Sequence, residues 1–209
     1  IQVLGLYSRG EGVFRLMVIG IDIDNTITHT TETIMHYARI FGEQRGLNTT
    51  PDPRYYYLED TLGWDKAVAE EFLSHYLGCI YRDMLPKEQA VEVIQELKRE
   101  HEIILITSRN RQYPEVEKIT REWLDQNGIA YDRLILNATG NMHYFSKLVV
   151  CQQNRVNLMI EDHHDLVSEI CGHIPVIMFD YPYNRHVNAN NVIRVEHWNQ
   201  VHKWVKAWK

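Results

Sequence analysis

The sequence predicts an α/β fold, a doubly wound parallel sheet with a small helical cap inserted after the first core strand. Three observations carry this expectation: short apolar runs recur along the chain, helical patterns separate them, and one long stretch breaks the alternation. The runs are Met17–Asp24 (MVIGIDID), Glu102–Thr107 (EIILIT), Arg133–Leu136, Val156–Ile160 and Pro175–Phe179. None has a helical period, and strands buried on both faces read this way. Alternation with helices at this spacing gives a Rossmann-like parallel sheet with right-handed crossovers.

Residues 1–16 (IQVLGLYSRGEGVFRL) lack a cap, a helical period or a turn-bounded alternation. They read either as a leader or extension, of non-native origin and dispensable, before a true start at Met17, or as an N-terminal strand around Gln2–Tyr7. The core is expected over 17–27 and 86–209. Pro86–His101 reads as a crossover helix, with proline at its start, apolar Ala90, Val93, Ile94 and Leu97, and basic residues closing its dipole. Pro114–Asn127 and His164–Cys171 read as helices stopped by Gly128 and Gly172. His197–Trp208 reads as a terminal helix whose stripe of Trp198, Val201, Trp204, Val205 and Trp208 packs on the core. Between 28 and 85 no buried-strand run occurs. Thr31–Arg45 and Trp64–Tyr81 look like amphipathic helices joined by a segment with Pro51, Pro53 and Tyr55-Tyr56-Tyr57. That length exceeds a plain connection and suggests a lid.

Composition bounds the function. A chain of 209 residues suits one α/β domain with a sizeable insertion, and 44% hydrophobic with 24% charged residues excludes a disordered or low-complexity chain. A formal charge of -6 argues against a nucleic acid polymer as partner. Cys79, Cys151 and Cys171 form no metal-type spacing and read as reduced core thiols. The longest apolar run, Leu16–Ile21, is too short to span a membrane and resembles no signal-peptide core, so a cytoplasmic protein without a membrane partner is expected.

In open α/β sheets ligands bind beyond the carboxyl ends of the strands, and four polar groups are expected there. The first strand ends Asp22-Ile23-Asp24-Asn25-Thr26, the next ends Thr107-Ser108-Arg109, Lys147 opens a later helix, and Val156–Ile160 runs into Glu161-Asp162-His163-His164-Asp165. Each alone is ordinary turn, capping or surface chemistry. Together they suit an anion handled with a divalent cation, as in phosphoryl transfer. Asp22 can attack phosphorus and form an aspartyl-phosphate. Asp24, two residues on along an extended segment, can protonate the leaving oxygen and then activate water. Thr107, Ser108 and Lys147 can hold phosphate oxygens, while Asp22, Asp162 and the Asp24 carbonyl can hold Mg²⁺. Tyr55, Tyr57 and Trp64 of the cap could stack on a base or simply pack. Arg109, with Arg111, flanks the second motif and could reach an anionic substrate or stand in solvent. His163 and His164 are not expected to share a transition metal, since adjacent side chains diverge on a helix.

The DxDxT at Asp22–Thr26, the Thr107 after an apolar strand, Lys147 and the acidic pair Glu161-Asp162, in that order, resemble the haloacid dehalogenase-like phosphatase superfamily. The resemblance spans Met17 to about Phe179, and the insertion lies where that superfamily carries its first type of cap. Thr-Ser at the second motif and the small helical cap are most similar to the C-type nucleotidase group, including 5'(3')-deoxyribonucleotidases. Glu161 replaces their first Asp and His163-His164 their Arg-Pro. The resemblance implies Mg²⁺-dependent hydrolysis of nucleoside or deoxynucleoside monophosphates in the cytoplasm. The alternatives are a phosphatase or phosphomutase of another small metabolite, such as a sugar phosphate, and a catalytically silent binding module on the same fold. A silent module would be expected to lack Asp22, Asp24, Lys147 or Asp162, and none is missing.

Overall fold

The computed structural model describes residues 17–110, 115–139 and 145–208. The expectation for residues 1–16, and Arg111, lie outside them. Six parallel strands form one sheet: β1 (Val18–Ile21), β2 (Glu102–Asn110), β3 (Arg133–Asn137), β4 (Leu158–Glu161), β5 (Val176–Phe179) and β6 (Val192–Val195). Their order is β3-β2-β1-β4-β5-β6, so the direction of winding reverses between β1 and β4, and a crevice opens there at the carboxyl edge.

The sheet is covered on both faces because its strands are apolar on both. Ile19 and Ile21 of β1 join a cluster with Leu97, Trp123, Trp198 and Val201. These residues come from α4 (Ala90–Glu100), α5 (Val116–Gln126) and α8 (Trp198–Ala207). The opposite face packs Ile104, Met159 and Val176 against Cys151 of α6 (Lys147–Gln153) and Val167 and Ile170 of α7 (His164–Ile170). Helices α1 (Thr30–Glu43), α2 (Leu58–Leu62) and α3 (Lys66–Asp83) stand between β1 and α4. They build a separate apolar cluster of Phe41, Leu62, Trp64, Phe72 and Ile80. An isolated antiparallel bridge between Thr28 and Pro86 marks where the chain leaves and rejoins the core. The doubly wound sheet with an inserted helical cap is therefore as expected.

Several details differ from the sequence expectation. Strand β6 goes unanticipated: its four residues, Val-Ile-Arg-Val, form an edge strand interrupted by a charge. Helix α2, one short turn system in the proline- and tyrosine-rich segment, is also new. Only Trp198, Val201 and Val205 of the terminal stripe are buried; Trp204 and Trp208 face solvent. Cys151 is a core thiol, whereas Cys79 is exposed. Among the described residues no helix is long and apolar enough to cross a membrane.

Gly20 lies at the centre of β1, where a Cβ would approach the Met159 sulfur at 2.8 Å and Ile106 and Val156 at 3.2 Å. Gly20→Ala should therefore overpack the second face and cost about 1–3 kcal/mol. Urea denaturation would check this.

Candidate active site

The register of the three central strands assembles the site. Ile21 pairs with Leu105 on one side and with Ile160 on the other. Asp22 thus stands level with Glu161, and its N–H donates to the Ile160 carbonyl at 3.0 Å. Thr107 lies one residue beyond that level on β2 and is fully buried. Lys147, at the first turn of α6 after an N-cap by Ser146, sends its ammonium under the sheet edge. Its Nζ donates to Asp22 Oδ1 at 2.5 Å and to Glu161 Oε2 at 2.7 Å. The other oxygen of Glu161 accepts the backbone N–H groups of Asp162 and His163, both at 3.1 Å.

Asp162 is held from three directions. Thr26 donates to its Oδ1 at 3.3 Å, Tyr183 to its Oδ2 at 2.5 Å, and the Asn184 amide to its carbonyl at 2.8 Å. The loop after β1 turns through Asn25 in the left-handed region (φ 58°), which asparagine tolerates. Asn25 Oδ1 then accepts the Thr31 N–H at 2.9 Å, and its carbonyl takes the Tyr181 hydroxyl at 3.0 Å. Among the described residues, no hydrogen bond ends on the Asp24 carbonyl.

The Asp24 side chain points to the seam between core and cap. Arg109 grips it with two bonds of 2.8 Å, Nε to Oδ2 and Nη2 to Oδ1, and Thr30 of α1 adds a third at 2.8 Å. Arg109 is buried, so it neither stands in solvent nor offers a free fork to an anion. Its seat is Asp24.

One carboxylate oxygen from each of Asp22, Glu161 and Asp162 lies within 4.8 Å of the others. Three buried carboxylates around one ammonium leave an excess of negative charge, and the donors are hard oxygens, which suits a divalent cation. The titration shifts tell the same story. Burial raises the Asp22 carboxyl well above its ordinary value, with Lys147 opposing. Burial, with Glu161 beside it, pushes Asp162 up to about 7. Burial also acts on Asp24, but the Arg109 charge and hydrogen bonds outweigh it and hold that carboxyl low. For Lys147 the two carboxylates outweigh burial and raise the ammonium.

The structure brings Asp22, Asp24, Thr107, Lys147 and Asp162 to one edge of the sheet, with Ser108 half-buried beside them. It does not bring Trp64 there: its ring packs on Phe41 and Phe72 in the cap core, and its N–H donates to the Asn48 carbonyl at 2.8 Å. Tyr55 and Tyr57 are 47% and 37% exposed. The tyrosine between them turns inward. Tyr56 meets His163 edge-on at 4.0 Å and Tyr183 at 5.2 Å, and burial followed by the negative charge of Asp162, Asp22, Asp24 and Glu161 raises its phenol. A three-tyrosine run gives no signal of which member points in. His163 and His164 do not diverge as expected: His163 is the N-cap of α7, outside the helix, and the two rings stack at 4.8 Å. Burial lowers His163 to about 4, so it is a neutral wall.

Residues 16–209 match the family model described as "5' nucleotidase, deoxy (Pyrimidine), cytosolic type C protein". The chain is 31% identical to YqfW of Bacillus subtilis over 193 residues, covering 91% of this chain and 94% of that protein. It is 28% identical over 185 residues to a protein of Clostridium acetobutylicum named a nucleotidase, covering 88% and 91%. Among solved structures it is similar in fold to a haloacid dehalogenase-like family hydrolase from Streptococcus pneumoniae, with a TM-score of 0.65, 12% identity and coverage of 90% and 98%. It is also similar in fold to YfnB of Bacillus subtilis bound to magnesium, with a TM-score of 0.62, 10% identity and coverage of 92% and 99%.

The raised Asp162 carboxyl has a consequence for stability. A group whose proton is held more tightly in the folded state stabilises below its unfolded value, near 3.8, and loses that contribution as pH rises through about 7. Metal-free protein should therefore be less stable at pH 8 than at pH 5 in this respect. Asp162→Asn should stabilise the metal-free protein at pH 8 by about 1 kcal/mol or more and abolish stabilisation by Mg²⁺. Thermal melts with Mg²⁺ and with chelator check both outcomes.

Proposed function

The chain belongs to the cytosolic type C 5'-nucleotidase family, and from that premise we propose that it hydrolyses nucleoside or deoxynucleoside monophosphates through an aspartyl-phosphate on Asp22, in the cytoplasm. It is a nucleotidase, a phosphoric monoester hydrolase. The observation that carries the mechanism is the buried cluster of Asp22, Lys147, Glu161 and Asp162 where the sheet reverses its winding.

Each residue has a task that its surroundings support. Asp22 attacks phosphorus as the bond to the ester oxygen breaks, and that oxygen leaves with the electron pair. Lys147, 2.5 Å from Asp22, favours the ionised nucleophile and opposes the burial that raises its carboxyl, and it stands ready for the phosphate oxygens. Thr107 and Ser108 supply hydroxyls from the neighbouring strand. Asp24 is the group placed to give a proton to the leaving oxygen, against the bonds from Arg109 that favour its ionised form. It then takes a proton from water as the water oxygen attacks phosphorus and breaks the bond to Asp22, releasing inorganic phosphate. Asp22, Asp162 and the Asp24 carbonyl would hold Mg²⁺, with Glu161, whose oxygens accept from Lys147 and two backbone N–H groups, beside them. Bound there, the ion would neutralise charge on the transferred group.

The cap limits what can enter. We assign it to 28–85, between the two residues of the Thr28–Pro86 bridge, with the core on either side. Part of the seam it shares with the core is aromatic, with Tyr56 meeting His163 and Tyr183, while elsewhere in the seam Arg109 pairs with Asp24. An aromatic patch suits the base of a nucleotide better than a sugar, so Tyr56 takes the role expected of Tyr55 and Tyr57. Large phosphoproteins should be poor substrates.

The test is a panel of phosphomonoesters assayed for phosphate release with Mg²⁺ and with chelator. Deoxynucleoside and ribonucleoside monophosphates are expected to exceed sugar phosphates, and chelation to abolish release. A sugar phosphate preferred over every nucleotide would favour the alternative metabolite phosphatase. Replacing Tyr56 by Ala should raise KM for the preferred nucleotide more than for a small phosphate ester.

A further inference from the structure

Arg109 is the penultimate residue of β2, two residues beyond Thr107, and its guanidinium joins three parts of the molecule. Toward the loop after β1 it makes the paired bonds to Asp24. Toward the core, Nη1 donates to the Thr120 hydroxyl of α5 at 3.0 Å. Toward the cap, the guanidinium carbon sits 3.9 Å from the centre of the Tyr81 ring on α3, and Nη2 lies 3.2 Å from the sulfur of Met84, just past the end of that helix. The other end of the inserted segment reaches the same carboxylate, because Thr30 at the start of α1 donates to Asp24 Oδ1. The Thr30 hydroxyl also lies 3.6 Å from the Met84 sulfur.

We propose that Arg109 is a positioning residue through which the cap sets where the Asp24 carboxylate stands, an inference that rests on the assignment of Asp24 as acid/base. A planar guanidinium fixes a carboxylate in direction as well as distance, which an ammonium does not. Here the face of that plane rests on a cap tyrosine and one edge contacts the chain where the cap returns to the core. The first helix of the cap cannot shift against the core without disturbing Thr30, nor the third without disturbing Tyr81 and Met84. Cap position and the aim of the proton donor are therefore one coupled variable, and Asp24 serves the leaving oxygen when the cap sits over bound substrate.

The experiment compares kcat for deoxythymidine monophosphate, whose alkoxide needs a proton, with kcat for p-nitrophenyl phosphate, whose phenolate does not. The proteins are the wild type, Asp24→Asn, Arg109→Lys, the double variant and Tyr81→Leu, each checked for folding by its melt. Arg109→Lys should lower kcat for the nucleotide by roughly ten-fold or more, within the range of general acid/base effects, and for the aryl ester by clearly less. In the Asp24→Asn background the same substitution should leave the ratio of the two substrates unchanged. Tyr81→Leu, which retains Arg109, should shift the ratio in the same direction, and it decides the matter if Arg109→Lys does not fold. Equal losses on both esters, with normal leaving-group dependence in Asp24→Asn, would overturn the inference alone. Absence of leaving-group dependence in Asp24→Asn would overturn the acid/base assignment and the inference with it.

Discussion

A single buried ammonium makes the site possible. Lys147 lies between Asp22 and Glu161, within 2.5 and 2.7 Å of their oxygens, and Asp162 adds a third carboxylate nearby. Removing the ammonium from such a cluster leaves uncompensated negative charge in the interior, a loss of several kcal/mol. The geometry of the candidate site is thus also a structural requirement. The tips of β1 and β4 are tied together because the lysine, at the start of α6, offers a donor to a carboxylate on each. The cluster is still short of positive charge, which a divalent cation would balance.

From that cluster outward, successive layers hold the ligands in place. Glu161 is fixed by two backbone N–H groups as well as by Lys147. Asp162 is fixed by Thr26, Tyr183 and Asn184. The turn that carries Tyr183 is in turn fixed by Arg194 of β6, which donates to the Asn184 side chain at 2.9 Å and to its carbonyl at 2.7 Å. The charge that disguises β6 as a poor strand is therefore what ties the edge of the sheet to the turn that holds Asp162. Outer partners of this kind are what give metal ligands their orientation.

This explains how much was legible in the sequence. The strands β1 to β5 and their tips could be read because a short apolar run ending in polar residues records both burial and exit from the sheet. Asp22, Asp24, Thr107 and Asp162 are the polar ends of that pattern, whereas Lys147 opens helix α6 and is legible only from its place in the order of motifs. What could not be read depends on distance in sequence. Arg109 meets Asp24 across 85 positions and Tyr183 meets Asp162 across 21, and neither residue carries a local pattern that announces its partner. The same holds for the run Tyr55-Tyr56-Tyr57, in which only the loop's path selects Tyr56. His163 escapes the divergence of neighbouring helical side chains because it caps the helix instead of belonging to it.

The central claim is that Asp22 becomes phosphorylated. It is tested most directly by mixing the enzyme with radiolabelled nucleoside monophosphate and Mg²⁺, quenching in acid within milliseconds, and mapping the labelled peptide by mass spectrometry. Acid-stable, hydroxylamine-labile label on Asp22 in the wild type and in Asp24→Asn, and none in Asp22→Asn, is the expected result. Near-normal turnover by Asp22→Asn without any trapped label would contradict the account and point instead to direct attack by water on phosphorus.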